Sequence, residues 1–236
     1  MEIKLFKKPK SVTIIEGFPG VGLIGTISTE FLLDHLKCEM IGKIWLDDIP
    51  PMIAIHEGKV VEPLGIFYNK KYNIVVIHGI AAISGHEWKI ANAIVQVAKD
   101  LQAKEIISLE GVGSNMPSED SRIFYYCSTD TAKKKFEKIG SKLLEEGIIM
   151  GVTGAMMIRS EKIPTTAIFA ETQSNLPDSK AAAKVIEALD AYLGLKVNYK
   201  PLLEQAEKFE EKLKTLMDKS EDALKSKDQK SLSYVG

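Results

Sequence analysis

Short apolar runs of four to eight residues recur along the chain, and between them the apolar positions fall at intervals of three and four. The first pattern predicts strands and the second predicts helices with one buried face. Val12–Ile15 reads as a strand and Val21–Leu36 as a helix. Glu39–Leu46, Met52–His56, Val60–Tyr68 and Tyr72–Gly79 read as strands, the last two closed by Asn69-Lys70-Lys71 into an antiparallel hairpin. Ser84–Leu101 is expected to be helical, and Glu105–Glu110 and Arg122–Cys127 extended. Asp130 is placed to cap a helix running to about Glu146, because Ala132, Phe136, Ile139 and Leu143 form one stripe and Gly147 supplies a stop. Ile163–Ala170 reads as a further strand. Asp178 then caps a helix whose Ala182, Val185, Leu189 and Leu193 share a face before Gly194.

Strands that alternate with helices imply an α/β layered domain with helices on both faces of a central sheet. The hairpin makes that sheet mixed, since a wholly parallel one needs a long crossover between neighbouring strands. This pattern runs over residues 1–196. From Tyr199 the composition turns to Glu, Lys, Leu and Ala, and Leu202, Ala206, Phe209, Leu213, Leu216 and Ala223 follow a four-three repeat. An amphipathic helix is expected over 197–225, packing on its own domain or on a neighbouring subunit, with a flexible tail over 226–236.

Composition narrows the function classes. The 236 residues carry 31 Lys and Arg against 32 Asp and Glu, a net charge of −1. That balance offers no field for nucleic acid or anionic lipid. No uncharged run approaches a membrane span and no signal peptide is visible, so a cytoplasmic location and no membrane partner are expected. Cys38 and Cys127 are the two cysteines. Their separation offers neither a zinc motif nor a disulfide framework.

The candidate chemistry begins at Gly20, Gly22 and Gly25, whose spacing is that of a dinucleotide-binding turn between strand and helix. Asp47 and Asp48 fall near the place of a ribose-binding acid. Against that reading, Glu16-Gly17-Phe18-Pro19 separates the strand from the turn, the Glu16 carboxylate would face a phosphate, and no Lys-Ser or Lys-Thr follows. A structural turn with close helix packing is the favoured reading. Glu16, His78 and Glu110, each at the end of an expected strand, could line one rim and form an acid–base cleft, with nothing beside them to serve as nucleophile or metal. His86-Glu87 lacks the second histidine of a zinc helix because position 90 is Ile, and Ser84 sits in an incomplete nucleophile elbow. Lys133-Lys134-Lys135 reads as a solvated helix face, and Met156 and Met157 as packing residues. No catalytic residue, cofactor or metal is assigned. The end of the chain, Ser231-Leu232-Ser233-Tyr234-Val235-Gly236, combines apolar and aromatic anchors with a terminal carboxylate, a combination suited to capture in a pocket.

Three segments together resemble the archaeal branch of the proteasome assembly chaperone 2 (PAC2) family. They are Gly17-Phe18-Pro19-Gly20-Val21-Gly22-Leu23-Ile24-Gly25, the run Glu145-Glu146-Gly147-Ile148-Ile149-Met150-Gly151-Val152-Thr153-Gly154, and Glu171-Thr172 with Pro177-Asp178 ahead of an alanine-rich helix. The resemblance spans roughly residues 10 to 215. It implies a three-layer α/β/α sandwich shaped like the nucleoside phosphorylases, homo-oligomerisation, binding to α-subunits of the proteasome core particle, and no catalysis. Family tails can end in a hydrophobic-Tyr-any-residue motif that docks on the core particle. Here Tyr234 is third from the end, so Leu232, Tyr234, Val235 and Gly236 are the candidate docking residues, with Tyr234 as anchor and the Gly236 carboxylate as charge partner. The competing reading is an enzyme, either nucleotide-dependent and ATP-grasp-like or a phosphorylase or hydrolase using Glu16, His78 and Glu110.

Overall fold

Nine strands form one mixed sheet that helices cover on both faces. The computed structural model describes residues 1–47, 54–56, 59–80, 84–113, 121–160, 162–172, 176–204 and 215. In chain order the strands are β1 (Glu2–Leu5), β2 (Thr13–Gly17), β3 (Glu39–Trp45), β4 (Ala54–His56), β5 (Lys59–Val61), β6 (Leu64–Asn69), β7 (Ile74–Gly79), β8 (Glu105–Gly113), β9 (Ile123–Cys127), β10 (Lys142–Leu143) and β11 (Thr165–Thr172). The helices are α1 (Ile24–Leu36), α2 (Glu87–Asp100), α3 (Asp130–Ile139), α4 (Gly151–Arg159), α5 (Ser179–Leu193) and α6 (Lys200–Glu204), with a 3-10 turn at Val21–Leu23 before α1.

The sheet order is β1-β3-β6-β7-β2-β8-β11-β9-β10, and β4 and β5 form a separate hairpin. The central strands β7, β2, β8 and β11 are parallel. Antiparallel pairs flank them, with β6 on β7 and β9 on β11. The expected mixed sheet is therefore what the chain forms. Alternation along the central strands divides their side chains between two cores. Ile15, Val76, Ile107, Leu109 and Ile168 pack beneath α1, α3 and α5, whereas Ile14, Val75, Ile77 and Ile106 pack beneath α2 and α4.

Several element limits differ from the pattern for identifiable reasons. The expected strand Val60–Tyr68 divides into β5 and β6, interrupted at Pro63, which has no N–H to give the ladder. The helix expected to reach Glu146 ends at Ile139, because Gly140 adopts a left-handed φ of +83° and its N–H returns to the Glu137 and Phe136 carbonyls. Leu143 then lies on the edge strand β10 and not on the helical stripe. The cap of α3 is Thr129, whose hydroxyl accepts from Ala132 N–H, and not Asp130. Asp178 does cap α5, accepting from Ala181 N–H, and Gly194 ends it. Of the expected C-terminal helix, α6 is described, and its Leu202 is buried in the core shared with α1 and α5. The strand β1 and the helix α4 were not anticipated.

Candidate functional site at the carboxyl ends of the central strands

The carboxyl ends of parallel strands are where open α/β sheets place their sites, because loops of independent origin converge there. At this end Glu16 of β2 and Ser108 and Glu110 of β8 point to the α2/α4 face, as the alternation with Ile14 and Ile106 dictates. Helix α4 brings Thr153 onto them. The Ser108 hydroxyl contacts Glu16 Oε1 and lies 3.3 Å from Thr153 Oγ1, and Thr153 Oγ1 donates to Glu110 Oε2 at 3.2 Å. The Gly111 N–H donates to Glu110 Oε1 at 3.0 Å. Glu16 is fully buried, and its Oε2 has no hydrogen-bond partner.

Two carboxyl groups joined by two hydroxyls cannot both be charged in such a place. Burial, reinforced by the nearby Glu110 charge, pushes the Glu16 carboxyl well above the usual range, against a smaller opposing bond from Thr153. Burial also pushes Glu110 up to about 7, while the Gly111 and Thr153 donors act the other way. One proton order satisfies the chain. Neutral Glu16 donates to Ser108, Ser108 to Thr153, and Thr153 to the Glu110 carboxylate, which also takes the Gly111 N–H.

The glycine turn sits directly on this cluster. A Cβ at Gly20 would overlap the Glu110 carboxylate, and one at Gly25 would overlap the Leu109 carbonyl oxygen. Gly22 has a left-handed φ of +65°, and its carbonyl accepts from Asp178 N–H at 2.9 Å. Asp178 also accepts from the Thr172 hydroxyl at 2.7 Å. The turn is thus seated on its own chain, as the structural reading required. The ribose-acid expectation fails on topology. Asp47 follows β3, which is three strands from β2, about 14 Å across the sheet. Asp48 lies outside the described residues.

The acid–base cleft is corrected in one member. Glu16 and Glu110 meet, but His78, which pairs with Gly17 and not with Glu16, projects to the opposite face. There its Nδ1 lies 2.8 Å from Thr29 Oγ1 and its Nε2 lies 3.0 Å from Glu30 Oε2, both on α1. A period of two puts adjacent positions of a strand on opposite sides, so three residues that all end strands need not share a rim.

Beside the cluster, Arg122 grips Glu171 with two bonds, Nε to Oε2 at 2.8 Å and Nη2 to Oε1 at 2.5 Å. Glu171 is 2% exposed and at the end of β11. A hollow of about 540 Å³ opens here between Val112, Phe124 and Glu171 on the sheet and Leu144, Glu145 and Glu146 ahead of α4. Reading the sequence for chemistry missed Ser108, Thr153 and Arg122. A polar residue within the apolar run Ile106-Ile107-Ser108-Leu109 was the available signal for the first. Among the described residues no group of three or more His, Cys, Asp or Glu could hold a metal ion, and no helix is long and apolar enough to cross a membrane. Leu232, Tyr234, Val235 and Gly236 lie outside the described residues.

The PAC2 family model matches residues 14–217. An uncharacterised protein of Methanocaldococcus jannaschii is 27% identical over 210 residues, 87% of this chain and 85% of its own. Among solved structures, Pyrococcus furiosus PbaA, an archaeal homolog of proteasome-assembly chaperone, is 32% identical over 94% of this chain and 99% of its own, with a TM-score of 0.84. P. furiosus PbaB, an archaeal proteasome activator, shares the fold at 22% identity and a TM-score of 0.74, over 91% of this chain and 98% of its own.

Proposed function

The chain belongs to the PAC2 family, and on that premise we propose that it is a non-enzymatic proteasome assembly chaperone or proteasome-binding adaptor that acts as a homo-oligomer. The observation that carries this reading is the likeness to PbaA, at 32% identity over nearly the whole of both chains. The three segments of the family resemblance also meet in one place, with Gly20 on Glu110, Glu110 on Thr153, and Gly22 on Asp178. A cluster tied to its own turn and helix caps is a means of holding a binding scaffold in shape.

In this reading the partners are α-subunits of the proteasome core particle. The domain over 1–196 is the scaffold, the helix over 197–225 extends from it, and the tail over 226–236 carries the docking group. Tyr234 is the anchor, Leu232 and Val235 are its apolar neighbours, and the Gly236 carboxylate meets a cation or backbone donors of the partner. The test is capture of core-particle α-subunits by the full chain and by a chain lacking residues 231 to 236. Capture by the first and not the second is expected. No capture by either, together with tight ATP binding in a calorimeter, would overturn the proposal.

A second reading rests on Glu16 Oε2, buried and without a partner. An enzyme would use Glu16 and Glu110 as acid and base, without His78. Turnover of a nucleoside by the wild-type chain that is lost in Glu110→Gln would favour it.

A further inference from the structure

The outward side of α4 and the approach to it turn apolar side chains to solvent. Its buried side is Val152, Ala155 and Met156, which close the core over the sheet. The side turned to solvent carries Gly151, Gly154 and Ile158, one turn apart, and the approach to the helix adds Ile148 and Met150. Ile148 is 87% exposed, Met150 79% and Ile158 63%. On the neighbouring helix α2, Trp88 is half-exposed and lies beneath the Arg159 guanidinium, 5.1 Å from its ring centroid. A contiguous apolar strip of this kind marks a contact surface. At Gly151 nothing stands within 4 Å of a Cβ position, so a second backbone can approach closely there, whereas at Gly154 that place is filled by the chain's own Ile149 carbonyl.

The charges around the strip say what covers it. In sequence its N-terminal side has Glu145 and Glu146, outnumbering Lys142, and its C-terminal side has Arg159 and Lys162, outnumbering Glu161. The strip itself is uncharged. A surface acidic at one end and basic at the other complements itself when two copies meet antiparallel, because each acidic end then faces a basic one. We propose that the outward face of α4, from Ile148 to Ile158, is a self-association surface on which the α4 helices of two copies of this chain cross antiparallel near Gly154. The partner is a second copy of the chain. Met150 of one copy then lies by Ile158 of the other, with Trp88 at the margin. The inference rests on the homo-oligomer reading and names its contact.

Sedimentation velocity of the full chain and of Met150→Asp/Ile158→Asp tests it, with thermal melts of both. The wild type is expected to sediment as a dimer or a multiple of it. The double variant is expected to drop to half that mass or lower at the same concentration, with its melt unchanged, since both side chains are exposed. In a second arm, Met150→Cys and Ile158→Cys chains are mixed under mild oxidation. A disulfide linking the two different variants is expected in excess over links within either one, with the wild type, whose Cys38 and Cys127 are half-buried, as control. A wild-type monomer at every concentration would overturn both this inference and the homo-oligomer reading. A wild-type oligomer that the aspartates leave intact would overturn the surface alone, and links mainly within one variant would overturn the antiparallel arrangement. A variant that keeps its mass but melts lower would show that the chain's own residues cover the strip, which also overturns the proposal.

Discussion

The Thr153 hydroxyl donates to Glu110 Oε2 across 3.2 Å, a bond that together with the 3.3 Å Ser108–Thr153 contact ties helix α4 to the central strand β8. Its strength depends on the charge of its acceptor, because hydrogen bonds to an ionised carboxylate are about twice as strong as neutral ones.

Glu110 therefore sets a pH dependence of stability. Its carboxyl is pushed by burial from the ordinary glutamate range up to about 7, so between those limits the folded chain holds a proton that the unfolded chain has released. Stability must fall as pH rises through that window and level off above it, by up to about 3 kcal/mol for this group. Glu16, also raised, adds a slope of the same sign. Glu110→Gln keeps an acceptor, and the Thr153 hydroxyl can turn to receive the new amide. Urea unfolding at pH 5 and pH 8 should show a smaller loss for the variant than for the wild type. An unchanged difference would place the proton elsewhere.

The glycine turn should rank its substitutions by what they strike. Gly25→Ala drives a methyl into the Leu109 carbonyl of the rigid strand β8, whereas Gly20→Ala meets the far end of the Glu110 side chain, which can swing. Thermal denaturation should show Gly25→Ala losing about 3 kcal/mol or more and Gly20→Ala about 1 to 2 kcal/mol. The reverse order would mean that the turn is held by something other than these contacts.

Arg122 neutralises a carboxylate that is almost completely buried. Arg122→Met takes the guanidinium from the Glu171 carboxylate and is expected to lower stability near pH 8. The loss should shrink toward pH 5, because the guanidinium favours the charged form of the Glu171 carboxyl and its contribution fades as that form is lost. Chemical denaturation at the two pH values measures this, and a loss equal at both would show that Arg122 contributes packing and not charge.

Two glycines near the end of α3 separate the observed stop from the expected one. Gly140 has a φ of +83°, while Gly147 is not at positive φ and has Leu144 side-chain atoms at ordinary contact distance. Gly140→Ala should cost about 1 kcal/mol and Gly147→Ala less than about 0.5 kcal/mol in the thermal unfolding midpoint. Comparable losses would contradict the shortened helix.

Much of the architecture was legible in the apolar pattern because burial on two faces imposes it. Ile14, Ile15, Val75 and Val76 alternate between two cores, and the stripes of α2 and α5 repeat at three and four. The end of α3 was not, since Gly140 and Gly147 look alike as letters and the choice between them depends on where β9 offers a ladder to Lys142 and Leu143. At the candidate site, Glu16 and Glu110 were found because each ends an expected strand. Their union with Ser108 and Thr153 depends on which side of the sheet each faces and on a helix the periodicity did not reveal. The same arithmetic removed His78. Strand ends were legible, but the register that pairs Gly17 with His78 was not.

The bond from Asp178 N–H to the Gly22 carbonyl carries a consequence for biosynthesis. The first helix of the domain completes its entry turn on the cap of α5, which a ribosome makes only after most of the chain has emerged. Until then the apolar side of α1 has no α5 to pack on, and its Ile24, Ile27 and Leu32 lack that cover. An early segment of the chain thus waits for a helix that begins at Ser179 before its apolar side is covered.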